Sequence, residues 1–330
     1  MTASPQRIAV LGATGHIGQA VVRHALDHGR QVTALSRRWD PPELHGLPVR
    51  LQRIDACLES LADAVSGHDL LIDAAAPYPL ELCQPGTPAW RADVDAAIVH
   101  AERVIDAARR CRRGLAFVST CATLPRCESP PTAAAALWRR SVSPYFEAKA
   151  AMEQMVLAAA QGLPVVVVNP AVFLGPWEYR AEELSIVRTV LAGRLPVVMD
   201  HTICVIDVRD VAEAIDCAFA RELFGKPIPL AGHNIALAEL VFQTACLAGV
   251  QAAPPITIDG GLLSAAAFWM HAGFSAWGMQ PPNYLSFIPL IPDVVPMFPS
   301  AEQNALGVSI RPLTETLRDA IEFHRALRPA

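Results

Sequence analysis

The chain has 330 residues, of which 52% are hydrophobic and 18% charged, with a net charge of −5. It can bury a sizeable core as one large domain or two small ones, and its balance excludes the electrostatic footprint of a nucleic-acid binder. Lys149 and Lys226 are the only lysines, and the eight cysteines (57, 83, 111, 121, 127, 204, 217 and 246) form no CxxC pair, a pattern of scattered thiols in a reducing, cytoplasmic setting.

Met1–Arg7 lacks a signal-peptide core. Ile8-Ala9-Val10-Leu11 then reads as a strand, and Gly12-Ala13-Thr14-Gly15-His16-Ile17-Gly18-Gln19 as a glycine-rich turn. A helix over Ile17–His28 follows, with Ile17, Ala20, Val21 and Leu26 at helical spacing. Strand, glycine turn and helix in that order make an anion site, because the glycines let a pyrophosphate approach the backbone and the helix N-terminus supplies N–H groups and a positive dipole end. Gly12, Thr14, Gly15, His16, Ile17 and Gly18 are the candidate pyrophosphate residues. Such turns also join strands to helices with no ligand, and the chain that follows decides for a dinucleotide.

The second strand, Gln31–Ser36, ends in Arg37-Arg38 where a NAD site usually carries an acid. An arginine fork suits a 2′-phosphate, so Arg37 favours NADP(H), with NAD(H) as the alternative cofactor. A third strand, Val49–Asp55, ends in an acid able to accept from an adenine amino group, or simply to form a turn. The fourth, Leu70–Ala76, finishes in small residues, and Ala75 lets the backbone lie close under a cofactor. A long helix over Ala89–Cys111, a strand over Leu115–Ser119 and an all-β-branched strand over Val165–Asn169 complete a parallel, doubly wound sheet. No internal repeat or linker is evident; Ala133–Ala136 is only a short alanine run.

Tyr145 and Lys149 are four apart at the start of a helix, so both side chains leave one face. A phenol near pKa 10 is a poor acid or base at neutral pH, and a neighbouring ammonium favours its phenolate. Thr120, at the end of the fifth strand, is placed to hydrogen-bond the same substrate oxygen. The stretch from Gly260 to Pro292 carries no Asp, Glu, Lys or Arg but is broken by His271, Gln280, Pro281-Pro282 and Asn283. It is expected to be a buried lid or dimer surface and no membrane span. No His/Cys/carboxylate cluster has metal-ligand spacing, so no metal is expected. His16, His201 and His233 read as loop or core histidines and Cys121 as a buried thiol.

The stretches LGATGHIG, RIDACLESL, LLIDAAAP, AFVSTCA, YFEAK, NPAVFLGP, CVIDVRDVAEA and LGVSIRPLTETLRDAIEF together resemble an extended short-chain dehydrogenase/reductase, the group of NAD(P)-dependent epimerases and dehydratases. Within it the chain is most similar to dihydroflavonol 4-reductase-like and hopanoid-associated epimerase-like members. The resemblance implies a Rossmann-like α/β fold with a smaller, mostly helical C-terminal substrate lobe. It places the cofactor domain at 1–175 plus 205–232 and the substrate lobe at 176–204 plus 233–330. It gives Gly12, Gly15 and Gly18 the pyrophosphate, Arg37 the 2′-phosphate and Asp55 the adenine. Tyr145 becomes the general acid/base, Thr120 the hydroxyl partner and Lys149 a ligand of the nicotinamide ribose, while the backbone at Pro170 and Val172 meets the carboxamide. It also implies a homodimer.

Three positions depart from the family pattern. Ala97-Ile98-Val99-His100-Ala101 replaces Asn-Val-x-Gly-Thr, Thr120 replaces Ser, and Asn169 replaces an Arg before the late Pro. Cys121-Ala122 stands where a sugar-nucleotide 4,6-dehydratase has Asp-Glu, which argues against dehydration. Segment 195–206 offers no Arg or Lys for a diphosphate sugar, and Phe173, Trp177, Tyr179, Met199, Trp269 and Trp277 make the substrate region apolar, although several of these must be core. The reading is an NADP(H)-dependent reductase or alcohol dehydrogenase of a small, mainly apolar carbonyl compound. A nucleotide-sugar epimerase and a redox-silent dinucleotide-sensing regulator are the alternatives.

Overall fold

A computed structural model describes residues 6–55, 58–75, 86–111, 114–124, 144–179, 185–194, 197–250, 254–279, 288, 291 and 295–327. Cys57, Ala76, Cys83, Cys127, the 133–136 alanine run and Pro281-Pro282 lie outside them. The elements run β1 (Arg7–Leu11), α1 (His16–Asp27), β2 (Gln31–Ser36), β3 (Arg50–Arg53), α2 (Leu61–Ala64), β4 (Leu70–Asp73), α3 (Pro88–Ala108), β5 (Leu115–Val118), α4 (Tyr145–Ala159) and β6 (Val165–Pro170). There follow β7 (Val172–Leu174), α5 (Ile186–Leu191), β8 (Val197–Met199), β9 (Thr202–Asp207), α6 (Val208–Ala220), β10 (Pro227–Leu230) and β11 (His233–Ala236). The last are α7 (Leu237–Leu247), β12 (Ile256–Ile258), α8 (Gly260–Ala276), α9 (Ala301–Leu306) and α10 (Leu313–Leu327).

Seven strands form one sheet in the order β3-β2-β1-β4-β5-β6-β10, with every pair parallel. Strand alternation divides the core in two. Ile8, Val10, Ala116, Val118, Val166 and Val168 face α1 and α6, while Ala9, Leu11, Leu115, Phe117, Val165 and Val167 face α3 and α4. Both faces are apolar, which is why these strands read as unbroken hydrophobic runs. Each fully buried valine of β6 contributes about 1.5–3 kcal/mol of burial free energy. Pro227 and Pro229 lie on the edge strand β10, where a missing N–H costs little and further pairing is blocked.

Beyond the main sheet, β9 pairs with β7 in parallel and with β11 antiparallel, and β12 pairs with β8. A third core joins Leu174, Val190, Val198, Met199, Leu240 and Leu317 from β7, α5, β8, α7 and α10. The uncharged segment expected to be buried begins as α8, yet Leu262, Trp269, Met270, Trp277 and Met279 are exposed in the single chain. Among the described residues, no helix is long and apolar enough to cross a membrane.

Two of the boundaries that differ from expectation have a visible local reason. The third helix starts at Pro88 because the Thr87 hydroxyl accepts from the Trp90 N–H at 3.3 Å and proline suits the first helical position. The fourth strand stops at Asp73, whose own Oδ1 accepts the Ala75 N–H at 3.0 Å and takes it out of the ladder.

Candidate active site

The strand order reverses between β1 and β4, and a crevice at such a switch point is where doubly wound sheets bind ligands. The glycine turn fills that position. Gly12 has φ +82°, and a Cβ there would lie 2.7 Å from the Ala74 backbone. The Gly15 N–H donates to the Gly12 carbonyl at 2.9 Å. Gly15 then starts α1 with no side chain to cap it, which leaves the orphan N–H groups of the first turn to a ligand or water. A Cβ on Gly18 would come 2.0 Å from the Gly12 oxygen, so the helix rests directly on the turn. Gln19 steadies it by donating to the Ala13 carbonyl at 2.7 Å. Thr14 is half-buried in the turn and Ile17 is buried in the core.

His16 is the first residue of α1, and its buried ring packs edge-on to Phe173 at 5.5 Å. Its Nε2 meets the Pro176 carbonyl at 3.0 Å, and its Nδ1 lies 3.9 Å from Glu178. The same buried carboxylate accepts from the Ser185 hydroxyl at 2.5 Å and lies 3.5 Å from His324 on α10. The His16 side chain therefore ties the turn to distant chain.

The ends of β2 and β3 carry the other half of the candidate cofactor site. Arg38 is committed to both oxygens of Glu43 at 2.7 Å, whereas Arg37 is exposed and makes no ion pair with the described residues. Arg53, paired with Ser36 in the β2–β3 register, stacks 4.4 Å over the exposed ring of Trp39. Asp55 closes the turn into α2: its carboxylate accepts the Glu59 and Ser60 N–H groups at 2.9 Å each and the Ser60 hydroxyl at 2.5 Å. The Ser60 hydroxyl and these backbone bonds hold its pKa well below the usual carboxylate range.

Tyr145 and Lys149 begin α4 on one face, and both are buried (8% and 7% exposed). The ammonium lies 5.8 Å from the Phe117 ring. Burial lowers its pKa to about 8, against the opposing pull of Asp73 and Glu153. Thr120 follows β5 and starts the short turn Cys121–Thr123, its hydroxyl oxygen accepting the Ala122 N–H at 3.3 Å. Ala75 follows β4 against Gly12, Pro170 ends β6, and Val172 opens β7 half-buried. The candidate cofactor and acid/base residues thus lie at or just beyond the C-terminal end of a sheet strand, or on the helix start beside it.

Of the apolar side chains expected near a substrate, Met199 is core and Tyr179 packs edge-on to Phe323 at 5.2 Å. Phe173 meets the His16 ring at 5.5 Å, and Arg23 covers Trp177 at 4.8 Å. Trp269 and Trp277 are exposed.

Sequence reasoning missed two buried polar groups beneath the pair. Asp73, 1% exposed, accepts from His100 Nε2 at 2.9 Å. Burial alone would raise its pKa, but the His100 ring, the Ala75 N–H and Lys149 hold it below the usual range. Glu153, also buried, accepts from Ser119, from Thr123 at 2.6 Å and from Asn169 at 2.8 Å, and the Asn169 amide also donates to the Thr120 carbonyl at 3.1 Å. The available signal was a polar residue ending an apolar strand (Asp73 after Leu-Leu-Ile, Asn169 after four valines) and His100 at a departing position.

The NAD dependent epimerase/dehydratase family model matches residues 8–228. A "Sterol demethylase protein B" of Methylococcus capsulatus is 29% identical over 70% of this chain and 71% of its own length. A "Putative dihydroflavonol 4-reductase" of Synechocystis sp. is 25% identical over 95% and 93%. A UDP-glucuronic acid 4-epimerase of Bacillus cereus, solved with UDP-glucuronic acid and NAD, has the same fold at a TM-score of 0.71, with 14% identity over 98% and 100% of the two chains.

Proposed function

From the premise that the chain belongs to the NAD dependent epimerase/dehydratase family, we propose that it is an NADP(H)-dependent oxidoreductase acting on a ketone or secondary alcohol of a mainly apolar small molecule. The observation that carries this reading is the buried Tyr145–Lys149 pair on one face of α4, at the same sheet edge as the glycine turn. The cradle fits a dinucleotide, since the positive φ of Gly12 makes the tight turn and the uncapped start of α1 leaves backbone N–H groups for a pyrophosphate. Gly12, Thr14, Gly15, His16, Ile17 and Gly18 hold the pyrophosphate through their backbone. Arg37 takes the 2′-phosphate, Asp55 the adenine, Ala75 makes room beneath the cofactor, Lys149 binds the nicotinamide ribose, and Pro170 and Val172 meet the carboxamide. A bound nicotinamide supplies or accepts the hydride.

The chain's own groups manage the proton. In the reducing direction the Tyr145 phenol donates its proton to the carbonyl oxygen, and Thr120 orients that oxygen. The Lys149 ammonium stabilises the phenolate that results. Residues 1–175 with 205–232 form the cofactor domain, and 176–204 with 233–330 close over the nicotinamide end. The core that α5, β8, α7 and α10 share, reached by β7 from the cofactor domain, supports this division. The enzyme works as a homodimer. The absence of Lys and Arg from 195–206 favours an apolar substrate over a diphosphate sugar. The relatives' names, with a dihydroflavonol and a sterol in them, agree with that preference.

The test is purified enzyme with NADPH and a panel of apolar ketones. Net NADPH oxidation is expected, and Tyr145→Phe lowers kcat by roughly 10²–10⁴-fold with cofactor Kd nearly unchanged. Tightly held NAD with sugar-nucleotide interconversion and no net oxidation replaces this reading with an epimerase. Cofactor binding without turnover, unaltered by the substitution, replaces it with a regulator.

A further inference from the structure

Lys149 is an ammonium in a buried site, and such a charge persists only beside opposite charge that is itself held in place. Two carboxylates act on it. Glu153, on its own helix, shares its charge with hydrogen-bond donors from Ser119, Thr123 and Asn169. Asp73 comes from β4, where it pairs in register with Phe117, the residue whose ring lies 5.8 Å from the Lys149 ammonium; it is 1% exposed and is clamped between His100 Nε2 (2.9 Å) and the Ala75 N–H (3.0 Å). Among the described residues, other titratable groups on α4 and α2 have partners or places of their own. Tyr145 lies one turn away, Glu147 accepts from the Trp90 indole at 2.7 Å, and Asp63 of α2 pairs with Arg110. We propose that Asp73, fixed by His100, is the positioning residue that keeps Lys149 charged beneath the phenol of Tyr145.

This rests on the proposed acid/base pair for its purpose, but its geometry stands without it. The Ala75 N–H links the same carboxylate to the chain beside Gly12, so one side chain serves both the turn and the ammonium. His100 thereby has a role at the position where the sequence departs from its relatives' pattern. An asparagine at 73 conserves the shape of the clamp while removing the charge.

The chain's two lysines make the test direct. In protein carrying ¹³C-labelled lysine, Lys226 is exposed and serves as the internal reference, while the second signal reports Lys149. The proposal expects a Lys149 titration midpoint near 8 in the native chain, about one unit lower in Asp73→Asn. His100→Ala strands a buried carboxylate, which then takes up a proton, so the midpoint falls in the same direction; His100→Gln, which restores a donor, returns it toward the native value. A midpoint left unchanged by whichever of Asp73→Asn and His100→Ala folds, judged by a native-like melting transition, overturns the proposal. The readout requires neither substrate nor cofactor. Failure to find a carbonyl substrate would count against the proposed reaction and leave this result intact.

Discussion

Arg37 and Arg38 are neighbours with different fates, and the difference gives the cofactor preference a residue-level test. Arg38 is held by both oxygens of Glu43, so its charge is already spent, whereas Arg37 stands exposed beside the end of β2. A charge-assisted bond to phosphate is worth about 1.5–3 kcal/mol. Arg37→Ala should therefore weaken NADPH by roughly 10–100-fold and NADH by much less, as measured by fluorescence titration of both cofactors; equal weakening would refute the 2′-phosphate assignment. The sequence could not say which arginine was available, because the answer lies in Glu43, an ion-pair partner on the following turn. Asp55 teaches the same lesson. Its carboxylate was legible as an acid at a strand end, but not as one already accepting two N–H groups and a hydroxyl from its own turn.

At the level of elements, the β1–turn–α1 unit was the most legible part of the chain, because each glycine answers a local backbone demand. Gly12 needs positive φ and Gly18 needs the absence of a side chain against the Gly12 oxygen. Gly18→Ala must push α1 off the turn, and overpacking of this kind costs about 1–3 kcal/mol. It should lower the melting temperature and weaken dinucleotide binding at least tenfold, both read from melts with and without NADPH. Retained affinity would mean that the turn holds no phosphate. The helix α4 was equally plain as a carrier of Tyr145 and Lys149 by its spacing. What surrounds that pair was not. Asp73, His100, Asn169 and the Ser119–Thr123 stretch come from four other places in the chain, and only Glu153, four residues after Lys149 on α4, is related to the pair by spacing.

Across the whole molecule, buried carboxylates tie the layers together and set an acid limit on stability. Asp216 on α6 pairs with Arg30 at 2.7 Å and lies 3.4 Å from His24 on α1, while Asp207 at the end of β9 binds Arg209 at 2.7 Å and the Thr316 hydroxyl of α10 at 2.7 Å. Burial works against ionisation at both, but the hydrogen bonds and opposite charges outweigh it, and Asp73 behaves alike. Their folded pKa values are depressed, so the stability they contribute is present above the unfolded value near 3.9 and is lost as pH falls below it. Asp210 runs the other way, since its burial outweighs Arg311 and raises its pKa. With these three groups and Asp55 against Asp210, the urea midpoint should fall steadily from about pH 4 toward pH 2, and a flat profile would contradict these pairings. The sequence by itself determined the sheet, the glycine turn and the Tyr145–Lys149 spacing, since periodicity, backbone freedom and helical pitch are properties of short stretches. Only the tertiary structure decided which arginine is held by an ion pair among the described residues, what His16 contacts and which carboxylates lie near the lysine, because a buried charge takes its partners from whatever the fold brings alongside it.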